Sequence, residues 1–232
     1  MQDVSFALEA GQAVGVIGPS GSGKSSLVRA LVGVWQPLRG KVRLDGAALD
    51  HWSPEILGRH IGYLPQDVEL FSGTIAQNIS RFEDTPDPDT IIAAARDAGV
   101  HELIIGMRDG YDTQIGDQGS ILSAGQAQRI ALARALYRNP FLVVLDEPNS
   151  NLDSEGDAAL NAAVRGVRAR GGIVVVVAHR PIGIEAVDLI LVLKEGRAQA
   201  FGPKEAVLGQ VLQRAPGSPP PIKIVSDAGA TK

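Results

Sequence analysis

Near its start the chain places apolar residues in the short stretches expected of strands: Val4 to Leu8, Ala13 to Ile17, and Lys41 to Leu44 before the turn pair Asp45-Gly46. The helix-prone segment Ser26 to Val32 lies between the second and third of these. Ser53-Pro54-Glu55 opens a short helix with a capping serine and a proline at its first position, and Ile61 to Leu64 predicts a strand ending at Pro65-Gln66. From about Thr74 to Arg138 the pattern is helical. Asp87-Pro88 opens a helix over Asp89 to Ala98, a second spans His101 to Met107, and a third spans Ser123 to Arg138, where Asn139-Pro140 stops it. A continuous apolar strand, Phe141 to Leu145, follows. Ser154 and Asp157 have capping-box spacing ahead of an alanine-rich helix that ends at Gly171-Gly172, and strand Ile173 to Ala178 comes next. Leu189 to Leu193 and Ala198 to Phe201 read as a hairpin across Lys194-Glu195-Gly196-Arg197, before a helix beginning near Pro203. The proline-rich run after Arg214 predicts a disordered tail over 215–232.

Strands alternating with helices predict an α/β fold with a mostly parallel sheet. The 232 residues suffice for one α/β core, about 1–214, carrying a helical lobe at about 74–138. Apolar residues make up 44% and aromatics only 4%, so the core must be built from Val, Ile, Leu and Ala, as suits strands covered on both faces. A net charge of -4 gives no basic field to recruit nucleic acid or anionic lipid. The absence of cysteine excludes disulfides, thiolate metal sites and cysteine nucleophiles, and fits a reducing compartment. The longest wholly apolar run, Ile173 to Ala178, is far short of the roughly 20 residues of a membrane-spanning helix. The first residues have no secretory-signal pattern, so the chain is expected to stay inside the cell.

Between the second strand and the first helix the chain reads Gly18-Pro19-Ser20-Gly21-Ser22-Gly23-Lys24-Ser25, followed by Ser26. This is the pattern of a phosphate-binding loop in its strand-loop-helix context, with a flexible surface loop as the plain alternative. Glycines let successive backbone N–H groups turn inward on phosphate oxygens, and the helix adds its positive end. Lys24 is placed for the β- and γ-phosphates, and Ser25 for Mg²⁺. Downstream, Phe141 to Leu145 delivers Asp146-Glu147 to the end of a strand. One carboxylate there could hold magnesium while the other orients or deprotonates water; an acidic turn is the alternative. Ser123 and Gln126 have the spacing of a plain capping box, and equally of an exposed helix start where Gly125 admits a phosphate.

Gly18 to Ser25, Leu122-Ser123-Ala124-Gly125-Gln126 and Leu142 to Glu147 have the order and spacing of an ATP-binding cassette ATPase, which about Asp3 to Gln210 resembles. The resemblance implies a phosphate-loop NTPase fold with a small antiparallel β lobe, truncated at its N-terminus, and an inserted helical lobe. It implies that Gln66 touches magnesium with Ser25 and Asp146 and reports to a membrane domain, although a polar loop residue would look the same. Glu147 is implied as general base, and His179 as the contact to the γ-phosphate; the plain alternative for His179 is a polar strand end. Ser150-Asn151-Leu152-Asp153 matches the loop that joins two cassettes, with a simple helix-start aspartate as the alternative for Asp153.

By the same resemblance, Leu122 to Gln126 close on ATP held by a second copy, so that two chains sandwich two nucleotides. The implied partners are this second copy and an exporter's transmembrane domain, with a membrane fusion protein and an outer-membrane channel beyond it. The implied location is the cytoplasmic face of the inner membrane, with no nucleic acid bound. Gly116-Asp117-Gln118-Gly119 and Leu70 to Ile75 through Asn78-Ile79 look exporter-like. Phe71 to Thr74 and Asp146 to Asp153 are similar to type I secretion ATPases, and lipid, peptide and drug exporters share most of these motifs. Three positions depart from the family pattern. Ala124 replaces a glycine, at a helical position where alanine should fit. Ala127 replaces a longer polar residue. An adenine-stacking aromatic is expected upstream of Asp3, and Phe6 lies too near the loop to replace it. A nucleotide-binding regulatory module or an inert fragment is the competing class, while a soluble cassette of DNA repair or translation would need a coiled-coil insertion or a second cassette.

Overall fold

Short strands rich in valine, isoleucine and leucine alternate with helices. In chain order the elements are β1 (Ala13–Ile17), α1 (Lys24–Leu31), β2 (Arg43–Leu44), β3 (Ala47–Ala48), α2 (Pro54–His60), β4 (Ile61–Leu64), α3 (Ile75–Ile79), α4 (Pro88–Asp97), α5 (His101–Ile105), α6 (Ala124–Leu136), β5 (Leu142–Asp146), α7 (Ser154–Ala169), β6 (Ile173–Val177), β7 (Leu189–Lys194), β8 (Arg197–Pro203) and α8 (Lys204–Gln213). They belong to a computed structural model that describes residues 1–116, 121–178 and 184–213. The expected tail at 215–232 lies outside the described residues.

The main sheet has the order β4-β5-β6-β1-β7-β8 and is parallel except for β8, which returns antiparallel along β7. A separate two-stranded antiparallel sheet joins β2 to β3. Asp45-Gly46 and Glu195-Gly196 have positive φ at both positions, the two-residue turn whose twist matches a hairpin. The fold is therefore mixed α/β with a mostly parallel sheet and a small antiparallel one, as the alternation of elements predicts.

Successive strand residues face opposite layers. Val14, Val16, Val144, Val175 and Val177 pack with Leu27, Val28 and Leu31 of α1. Ala13, Val143, Leu145, Val174 and Val176 join Ile130 of α6 and Leu160 of α7 in the larger cluster on the other face. Each fully buried Val or Ile contributes about 1.5–3 kcal/mol, so the β-branched run of β6 anchors the centre of the sheet.

Two expectations are corrected. Val4 to Leu8 is not a strand. Its alternation is real, since Val4, Phe6 and Leu8 pack on the core while Ser5 and Ala7 are exposed, but it forms no ladder among the described residues. The cap of α7 is Asp153 rather than Ser154: the Asp153 carboxylate accepts the Gly156 N–H, and an ionised acceptor suits a helix start better than a hydroxyl one residue later.

Arg81 fixes the helical segment to the sheet. Its guanidinium donates to the carbonyl oxygens of Arg134 (3.1 Å), Gly58 (2.6 Å), Ile61 (3.3 Å) and Ala135 (3.3 Å). Burial, and then the neighbouring Arg134, push its pKa below the usual arginine value. Between the same elements, a Cβ on Gly62 would sit 1.9 Å from the Ala135 carbonyl oxygen. Gly62→Ala should therefore destabilise the fold by about 1–3 kcal/mol in urea unfolding. An unchanged midpoint would show that α6 does not press on β4 in this way.

Candidate active site

The parallel strands end at one edge, and their register decides what meets there. Val16 pairs with Val177, Val177 with Asp146, and Leu64 with Leu145. Gly18, Glu147 and Pro65-Gln66 therefore leave β1, β5 and β4 along the same edge, where open α/β sheets hold their ligands. Adjacent strands lie about 4.8 Å apart, which puts the ends of β5 and β1 roughly 10 Å apart with β6 between them.

The loop leaving β1 passes so close to the sheet that a Cβ on Gly18 would fall 2.1 Å from the Leu193 carbonyl oxygen. Gly23 caps α1 in the left-handed conformation, at φ 99, without any side-chain cap. The first N–H groups of the helix thus have no intrahelical partner and point into the loop. Ser22 Oγ, buried at 2% exposure, has no hydrogen-bond partner. A phosphate oxygen fits the free N–H groups at this helix start, whereas Ser22 Oγ lies sealed beside Gly18.

Lys24, at 6% exposure, donates from Nζ to the carbonyl oxygens of Gly18 (2.8 Å) and Pro19 (3.0 Å). Burial lowers its pKa, and the charges of Glu147 and Asp146 pull it back up, so all three groups share one field. Burial and then Asp146 raise the Tyr63 phenol, on the strand next to β5. Asp146 is buried, while Ser25 and Gln66 are exposed at the rim. The three offer only oxygen ligands, a set suited to a small hard cation that keeps waters and phosphate oxygens in its shell.

Glu147 has a left-handed backbone, at φ 52. Its N–H donates to the Val177 carbonyl (3.0 Å) and its own carbonyl accepts the Ser150 N–H (3.3 Å), which hold it there. A non-glycine residue costs about 1–2 kcal/mol in this conformation, and such strain gathers where a side chain must be aimed.

Ser123 to Gln126 do not join the phosphate loop of the same chain. Ser123 Oγ accepts the Gln126 N–H (3.2 Å) and Gln126 Oε1 accepts the Ser123 N–H (3.0 Å), the full capping box of α6. Ala124 takes ordinary helical backbone at the first position of α6. A Cβ on Gly125 would lie 2.9 Å from the Asn151 carbonyl oxygen, so a glycine there is demanded by loop 148–153 even before any ligand is considered. Phe6 rests against Phe201, with ring centroids 5.6 Å apart. His179 and residues 117–119 of the exporter-like loop lie outside the described residues.

A family model described as ABC transporter matches residues 1–150. The chain belongs to the ABC transporter family. It is 65% identical over 213 residues to the type I secretion system ATP-binding protein PrsD of Rhizobium meliloti (strain 1021), a match covering 92% of this chain and 37% of that protein. It is 42% identical over 210 residues to the ATP-dependent lipid A-core flippase of Burkholderia thailandensis, covering 90% and 35% respectively. The solved structure of a bacterial Atm1-family ABC exporter with ATP bound matches with a TM-score of 0.79 at 33% identity, over 89% of this chain and 38% of that one. The chain thus spans little more than a third of the length of these relatives. The family read from the motifs is the right one, and the phosphate-loop NTPase fold it implied is the fold observed.

Within this ABC transporter chain, three features were missed in the sequence: Gln128, Arg129 and the backbone of Glu147. Gln128, at 2% exposure, bonds to loop 148–153; its signal was a polar residue among the apolar positions of α6. Arg129 reaches Asp153 (2.8 Å) and Glu155 (3.5 Å). The Asp153 carboxyl lies below the usual carboxylate range, first because it accepts the Gly156 N–H and then because of Arg129. The left-handed Glu147 has no sequence signal at all. It generates a stability test: Glu147→Gly should be about 1 kcal/mol more stable than Glu147→Ala in urea unfolding, the reverse of the usual order. An alanine variant that is equal or better would remove the strain.

Proposed function

We propose that this chain is the ATP-hydrolysing cassette of an exporter. The observation that carries the reading is the meeting of the phosphate loop with Asp146 and Glu147 at one sheet edge, within a single field at Lys24. In this reading the backbone from Gly18 to Ser26 holds the phosphates, and Lys24 neutralises the β- and γ-phosphate oxygens. Ser25, Gln66 and Asp146 would hold Mg²⁺, which supplies charge neutralisation of the departing phosphates when bound. Glu147 accepts a proton from the attacking water as that water closes on the γ-phosphorus, and the bond to the β-γ bridging oxygen breaks. His179 is assigned the contact that orders this water on the γ-phosphate.

The exposed Ser123 end of α6, with Leu122, Ala124, Gly125 and Gln126, is assigned to the terminal phosphate of ATP held by a second copy. Ser150, Asn151, Leu152 and Asp153 are assigned to the seam between the copies. Such an interface is two-fold, so each surface serves twice. Loss of the γ-phosphate removes contacts at both seams and separates the pair.

No helix among the described residues is long and apolar enough to cross a membrane; the reading assigns the membrane path to an exporter's transmembrane domain, upstream of this sequence or on another chain. A groove of about 1150 Å³ lined by Trp35, Tyr63, Pro65, Phe71, Phe82 and Arg134 adjoins Gln66 and offers exposed aromatic surface for it. The 65% identity to a type I secretion ATP-binding protein supports protein export from the cytoplasmic face of the inner membrane, with a membrane fusion protein and an outer-membrane channel completing the path. The weaker likeness to a lipid A-core flippase makes lipid export the second reading.

Glu147→Gln is the direct test. It should keep ATP, lose at least about 100-fold in hydrolysis, and accumulate as a two-copy species in size exclusion with ATP and magnesium. Undiminished turnover would reject Glu147 as base. Binding without turnover by the unsubstituted chain, even at concentrations that force pairing, would favour a regulatory module.

A further inference from the structure

We propose that Gln128 is a positioning residue, locking the start of α6 to the loop that follows Glu147 so that the two move as one body. The inference rests on the functional reading above, in which these two segments serve different nucleotides. Gln128 sits one turn into α6 and is almost wholly buried. Both ends of its amide are used on a single loop. Nε2 donates to the Pro148 carbonyl oxygen and reaches Ser150 Oγ (3.5 Å), and Oε1 accepts the Asn151 N–H (3.1 Å).

The contact is close as well as bonded. Gly125, three residues earlier, leaves no room for a side chain against the Asn151 carbonyl, and Arg129 reaches from the next position to Asp153. The loop in turn is tied to the candidate base, because the Ser150 N–H donates to the Glu147 carbonyl. A shift of the Ser123 end of α6 therefore cannot leave Pro148 to Asn151 behind without stranding the buried Pro148 carbonyl and Gln128 amide. The left-handed backbone of Glu147 is held on one side by Val177 and on the other by this loop, so the lock supplies half of what aims its carboxylate. In a two-copy sandwich, the helix start that meets one nucleotide would thereby set the base acting on the other.

Gln128→Met keeps the length of the side chain and discards all its polar contacts. Gln128→Glu keeps the acceptor for the Asn151 N–H and loses the donor to Pro148. In the full chain, amide hydrogen exchange of the peptide 147–153 should quicken about tenfold in Gln128→Met, that of 142–146 staying unchanged, and at least as much in Gln128→Glu, which buries a carboxylate oxygen against the Pro148 carbonyl. The kcat for ATP should fall about tenfold with KM within about twofold, because the phosphate loop is untouched. Loop exchange at the wild-type rate, or wild-type kcat despite a loosened loop, would overturn the proposal. If Gln128→Met does not fold, Arg129→Met, which releases the exposed Asp153 end of the same contact, carries the same comparison at smaller amplitude. A wild-type chain that does not hydrolyse ATP would instead sink the functional reading, and the exchange rates would still decide whether the lock exists.

Discussion

Everything proposed for this chain depends on the register of three parallel strands. With Val16 beside Val177 and Val177 beside Asp146, the chain must leave β1 and β5 at the same height along one edge. A slip of one residue would turn every side chain of a strand to the opposite layer, and both layers are filled. The hydrophobic packing that fixes the register therefore also fixes the distance between the phosphate loop and the carboxylates. Gly18 completes the constraint, since the Leu193 carbonyl oxygen leaves that corner open only to hydrogen.

The parts of this arrangement that are local in the chain were legible in the sequence. The glycine-rich loop between β1 and α1 could be read because its glycines, lysine and serine are consecutive, and the capping box of α6 because Ser123 and Gln126 are three apart. Strands β4, β5 and β6 were legible as apolar runs because both of their faces are buried. The segment Val4 to Leu8 shows the limit: alternation reports which side is buried, whereas a strand also needs a ladder partner. Asp153 and Ser154 show another, because two adjacent cap-forming residues are separated only by which one has the extended backbone.

What remained hidden is the tertiary wiring. Nothing in the order of residues brings Gln128 to Asn151, or Arg81 to the carbonyls of Gly58 and Ile61 on one segment and Arg134 on another. The strain at Glu147 is likewise imposed from outside its own neighbourhood, by Val177 on the next strand and Ser150 in the loop. These features share a physical logic: a buried polar side chain that satisfies several main-chain groups at once is a costly thing to misplace, and so it defines one geometry. In this chain such residues lie at the joints between the sheet, the helical segment and the proposed interface.

The most direct test of the central claim is a calorimetric titration of the full chain with ATP in excess magnesium, beside Lys24→Ala. Lys24 shares a field with both carboxylates, and its amine donates to the Gly18 and Pro19 carbonyls of the glycine-rich loop. Saturable uptake of one nucleotide per chain, lost in Lys24→Ala, is the predicted result. Absence of uptake in the unsubstituted chain, or equal affinity in the two proteins, would contradict it.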